Sequence, residues 1–125
     1  MKLKEYEKFI EELESRGYKK YPTIKRATFT YFKAFGKSKY EEDRSNYQIA
    51  FSLYDWRKYA DRDPSVNDNP FGVQPTIMVS RTTHEGLDLD FCGEFSDIEY
   101  IESLAEKFFK FVEKNVKVNH YESKD

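Results

Sequence analysis

The chain has 125 residues, a formal net charge of −2, one cysteine, and eleven Phe, ten Tyr and one Trp. That length fits one domain with its own core. The single Cys92 excludes an internal disulfide and a cysteine-based zinc cluster, and the lack of an apolar run of about 18 residues excludes a membrane-spanning helix. The leading residues carry no apolar signal core, so a cytoplasmic setting is expected.

The near-neutral total hides a polarised chain. Between Ser15 and Tyr40 lie eight cations, seven aromatics and no carboxylate, whereas Thr82 to Glu106 holds eight carboxylates and no Lys or Arg. Segregated charge creates local fields that a net charge conceals.

Taken in order, Leu3, Tyr6, Ile10 and Leu13, with Phe9 beside them, repeat at three and four residues and predict an amphipathic helix. Gly17 is placed to cap it, and Pro22 to stop continuation. Lys25 to Phe35 alternates, with Ala27, Phe29, Tyr31 and Phe35 on one side and Arg26, Thr28, Thr30 and Phe32 on the other. Gly36 to Ser45 reads as a loop. Asn46 to Arg57 alternates again, with Tyr47, Ile49, Phe51 and Leu53 facing a core and Gln48, Ala50, Ser52, Tyr54 and Trp56 facing away.

Lys58 to Gln74 is rich in Pro, Asp and Asn and predicts a long loop. A third strand is expected over Pro75 to Arg81, with Ile77 and Val79 inward. Leu87, Leu89 and Phe91 alternate with Asp88, Asp90 and Cys92 to give a fourth. Ser96-Asp97-Ile98-Glu99 matches a capping box, and Ile98, Ile101, Leu104, Phe108, Phe111 and Val112 mark the apolar stripe of a last helix.

The expected fold is α+β, a two-layer domain in the order α-β-β-β-β-α. A four-stranded antiparallel sheet carries the N- and C-terminal helices on one face, since no helix separates the strands and both helices need a surface to cover. The domain is expected over residues 1–118, with 119–125 as a flexible C-terminal tail. Only the element order resembles that of small bacterial chaperone-like or adaptor domains, and order alone licenses no function.

The other sheet face carries an apolar group, Phe32, Tyr54, Trp56 and Met78, on an otherwise small and polar surface. Trp and Tyr concentrate in interfaces. The leading expectation is therefore a small non-enzymatic interaction or adaptor protein that binds another protein or itself through this patch.

A second expectation is nucleic-acid binding through Arg16, Lys19, Lys20, Lys25, Arg26, Lys37 and Lys39, where cations would meet phosphates and rings would stack on bases. The acidic overall balance and the lack of a known motif count against it. A third is an enzyme with its site under the 58–74 loop, using His84, Asp88 and Asp90. No catalytic motif, phosphate-binding loop or metal-ligand spacing is present to support it, so no catalytic residue, metal or cofactor is assigned.

Overall fold

The computed structural model describes residues 1–21, 29–35, 47–58, 67–80, 86–91, 93 and 95–115. Helix α1 (Leu3–Ser15) leads into five strands, β1 (Lys19–Tyr21), β2 (Phe29–Ala34), β3 (Tyr47–Asp55), β4 (Phe71–Ser80) and β5 (Gly86–Asp90), and helix α2 (Ile98–Asn115) follows. The strands form one antiparallel sheet in the order β1-β2-β3-β4-β5, each pairing with its neighbour in sequence. The fold is α+β with both helices on one sheet face. The sheet has five strands rather than the expected four. Among the described residues no helix is long and apolar enough to cross a membrane.

The extra strand follows from how α1 ends. Gly17 takes φ +89°, a backbone region that costs glycine little. Its N–H bonds the Glu14 carbonyl at 3.1 Å, and the Tyr18 N–H bonds the Leu13 carbonyl at 3.0 Å. This paired closure is a Schellman ending, and the two hydrophobic partners it brings together, Leu13 and Tyr18, are both buried. The reversal sends the next three residues along the edge of β2, with Lys19 opposite Phe32 and Tyr21 opposite Thr30. Lys33 secures the same corner, its ammonium donating to the Arg16 carbonyl at 2.7 Å, where the helix dipole favours a cation.

The core lies between the helices and one sheet face. Tyr6, Phe9 and Leu13 of α1 and Ile98, Ile101, Ala105, Phe109 and Val112 of α2 pack with Tyr31, Ile49, Phe51, Leu53, Val73, Ile77 and Val79. Rings set much of the geometry: Phe9 meets Phe51 edge-on at 5.5 Å, and Tyr47 meets Phe109 at 5.0 Å.

Several boundaries move. Strand β4 begins at Phe71, so the long loop expected over Lys58 to Gln74 is shorter by its last four residues. Pro75 sits within β4 because its backbone faces past the end of β5. The β4–β5 register stops at Thr76↔Asp90, and the Pro75 carbonyl accepts a bond from the Phe91 N–H at 3.4 Å. The missing proline N–H therefore removes no bond to β3. Trp56 leaves β3 for a short 3-10 turn, Trp56–Lys58.

In α2, Asp97 caps the helix in place of Ser96, its carboxylate accepting from the Tyr100 N–H at 3.0 Å. The buried stripe runs through Ala105 and Phe109, whereas Phe111 is 55% exposed. The tail over 119–125 lies outside the described residues, as do the loop over 36–45 and Lys25 to Thr28.

Candidate interaction face

Strand register defines what the helix-free face presents, because residues directly opposite share a face and successive residues alternate. One cross-strand row runs Lys19, Phe32, Ala50, Thr76, Asp90 across all five strands. The next row holds Tyr21, Thr30, Ser52 and Gln74, and beyond it Tyr54 lies opposite Gly72. On the other side lie Ala34, Gln48, Met78 and Asp88. The middle of the face is built from small side chains, and a cation and a carboxylate stand at opposite edges of the same row.

The four residues expected to form one patch are divided. Tyr54 and Trp56 stack with centroids 4.7 Å apart and planes 2° from parallel. Phe32 instead meets Tyr21 edge-on at 6.0 Å. Tyr54 is four residues along β3 from the partner of Phe32, roughly 13 Å at 3.3 Å per residue. Met78 is six residues along β4 from the partner of Tyr54, roughly 20 Å on the same spacing. Two aromatic pairs therefore stand apart on the face with Thr30, Ala50 and Ser52 between them, and Met78 lies toward the far end. Tyr21 was absent from the sequence-based patch because nothing local marked Lys19–Tyr21 as a strand.

Hydrogen bonds order the far half of the face. The Tyr54 hydroxyl donates to the Gln74 side-chain oxygen at 3.3 Å, and the Gln74 amide donates to the Phe91 carbonyl at 3.0 Å. Thr76 donates to Asp90 at 2.8 Å. Partial desolvation, followed by repulsion from Asp90, raises the Asp88 carboxyl above the ordinary carboxylate range. A cation brought to this edge would relieve that repulsion.

The basic stretch is distributed differently from a single patch. Arg16 pairs with Glu12 at 3.1 Å and with Glu102 of α2 at 2.6 Å. Lys20 lies over the Phe29 ring at 3.6 Å. Lys19 and Lys20 are exposed on the β1 edge, and Lys25, Arg26, Lys37 and Lys39 lie outside the described residues. Of the three residues expected to serve an enzyme site, Asp88 and Asp90 are exposed on β5, while His84 lies outside the described residues. Among the described residues no three His, Cys, Asp or Glu side chains gather as a cation site.

One buried charge sits at the end of β3. Asp55 is 8% exposed and is gripped by Arg57 through Nε–Oδ1 at 2.9 Å and Nη2–Oδ2 at 3.0 Å. Hydrogen bonding to Arg57 outweighs burial and holds the carboxyl below its ordinary range. Arg57 also lies 4.9 Å over the Phe71 ring, which stacks with Tyr6 at 4.2 Å. These contacts fasten the strand end beside Trp56 to α1.

No protein-family model, no curated protein and no solved structure matches this chain. The resemblance in element order to chaperone-like or adaptor domains therefore carries no function here.

Proposed function

We propose that this protein is a small, non-enzymatic interaction or adaptor domain of the cytoplasm that binds another protein, or a second copy of itself, through the helix-free sheet face. The observation that carries this reading is the stacked Tyr54–Trp56 pair on the side of the sheet away from both helices. Tyr and Trp offer large contact area with few rotatable bonds. Stacking holds the two rings in place before a partner arrives, which lowers the ordering cost of association. The Tyr54–Gln74–Phe91 hydrogen bonds hold the Tyr54 ring in the same position.

Cross-linking and co-purification from cell extract, comparing the wild-type chain with Trp56→Ala, tests this. A specific protein, or the chain itself, should be retained by the wild type and lost by the variant, with the unfolding midpoints alike. If Trp56→Ala unfolds the domain, the ring serves the core and the reading fails. Fluorescence anisotropy with labelled single-stranded DNA and RNA separates the rival class: steeply salt-sensitive binding would move the function to the basic stretch.

A further inference from the structure

We propose that a second copy of this chain occupies the helix-free face, stacked sheet on sheet about a two-fold axis parallel to the strands, so that β1 of each copy lies over β5 of the other. This rests on the reading that the face is the binding surface, and it names the occupant.

The charge arrangement selects that geometry. Lys19 and Asp90 are both exposed and stand at the two ends of the row Lys19, Phe32, Ala50, Thr76, Asp90. Turning a copy over about an axis along β3 exchanges the two edges while keeping each row in register with itself. Lys19 of each copy then faces Asp90 of the other, and Asp88 lies one rung away. The contact is made twice, as an isologous interface requires. An axis along the row would set Lys19 over Lys19 and Asp90 over Asp90, so the charges reject it. Edge-to-edge addition of β1 to β5 would also match the charges, but it rests on a three-residue strand and runs on without closing.

Shape agrees with charge. Thr30, Ala50, Ser52, Gly72 and Thr76 leave the centre of the face low, which suits the roughly 10 Å spacing of packed sheets. Five strands at about 4.8 Å and a nine-residue β3 at about 3.3 Å per residue outline a face of roughly 24 by 30 Å. Shorter outer strands trim that flat outline to roughly 500 Å2, so side chains at its rim, Trp56 and Lys19 among them, join the contact to approach the roughly 800 Å2 per partner that stable interfaces bury. The axis lies along β3, so Tyr54 and Trp56 of each copy meet their counterparts beside it.

Sedimentation equilibrium from micromolar to several hundred micromolar decides the matter. The wild-type chain should reach twice its 15.0 kDa mass and go no further, and emission from the single Trp56 should shift with the same midpoint. Lys19→Asp and Asp90→Lys should each weaken the dimer at least tenfold, because each sets like charges together twice. An equimolar mixture of the two variants restores opposite charges at both contacts and should recover the doubled mass. Circular dichroism of each variant confirms that it is folded, and Asp88→Lys replaces Asp90→Lys if the latter is not.

A chain that stays monomeric throughout overturns the dimer. If Trp56→Ala then still abolishes capture of another protein, the face reading survives; if it does not, both fail. A mass that keeps growing beyond two chains, or a dimer indifferent to both charge reversals, also overturns the proposal.

Discussion

Arg16 at the end of α1 reaches Glu102 in α2, with Nη1 2.6 Å from Oε1. The pair ties the two helices together across 86 positions of sequence. The Tyr18 hydroxyl donates to the other Glu102 oxygen at 3.3 Å, so one carboxylate receives the cation and a buried phenol together. Both charged side chains keep contact with water, being 31% and 20% exposed, which screens the attraction. A double-mutant cycle of Arg16→Met and Glu102→Gln, read by urea unfolding, should therefore give a coupling of about 0.5 to 1 kcal/mol that shrinks with added salt.

Two neighbouring phenylalanines of α2 should behave oppositely. Phe109 is buried against Tyr47 and Phe35, at 5.0 and 6.0 Å. Phe109→Ala should cost about 3 kcal/mol through lost burial and a residual cavity. Phe111 is 55% exposed, and Phe111→Ala should change stability by less than about 0.5 kcal/mol. Chemical unfolding of the two variants side by side checks the assignment.

Gly17→Ala should destabilise the domain by about 1 kcal/mol, the cost of a left-handed backbone for a residue with a Cβ. Among the described residues an added Cβ would meet only the end of the Lys33 side chain, Cε at 3.8 Å and Nζ at 4.0 Å, both ordinary contacts, so the loss is conformational rather than steric. Urea unfolding of this variant gives the number. A neutral result would mean that the Schellman ending does not hold the turn into β1.

Acid and base should act at the same end of the sheet through different groups. The folded Asp55 carboxyl titrates below its ordinary value, so its contribution is present above the unfolded pKa of about 3.9 and is lost as pH falls below it. Desolvation, with smaller contributions from Asp55 and Tyr31, pushes the Tyr6 hydroxyl up to about 12. That contribution is full below the unfolded pKa of about 10 and is lost as pH rises from there toward 12. In unfolding measured across pH, Asp55→Asn should flatten the acid limb and Tyr6→Phe part of the alkaline limb. Phenolate absorbance should show Tyr6, Tyr18 and Tyr31 ionising late, since burial raises all three.

Local features were legible in the sequence because local physics determines them. The three-and-four spacing of Tyr6, Phe9 and Leu13 and the placement of Gly17 define α1 and its end within a few residues of chain. Alternation along Tyr47 to Leu53 separates the core face from the other face whichever strands lie alongside. The end of α2 near Phe111 was harder to read. Phe108, Phe109, Phe111 and Val112 all lie near the apolar side, and only the position of the sheet selects Phe109 and Val112 for the core.

The sequence alone determined the α+β class, the antiparallel pairing, the two amphipathic helices and the separation of basic from acidic segments. Tertiary structure decided the rest. It paired Lys19–Tyr21 with β2 as a fifth strand, gave Arg16 to Glu102, and separated Phe32 and Met78 from the Tyr54–Trp56 pair. It also placed Lys19 and Asp90 at opposite ends of one row. The first joins segments close in sequence but is visible only once β2 lies alongside; the others depend on contacts between residues farther apart. Periodicity reports which side of an element is apolar, but not which element comes to lie beside it.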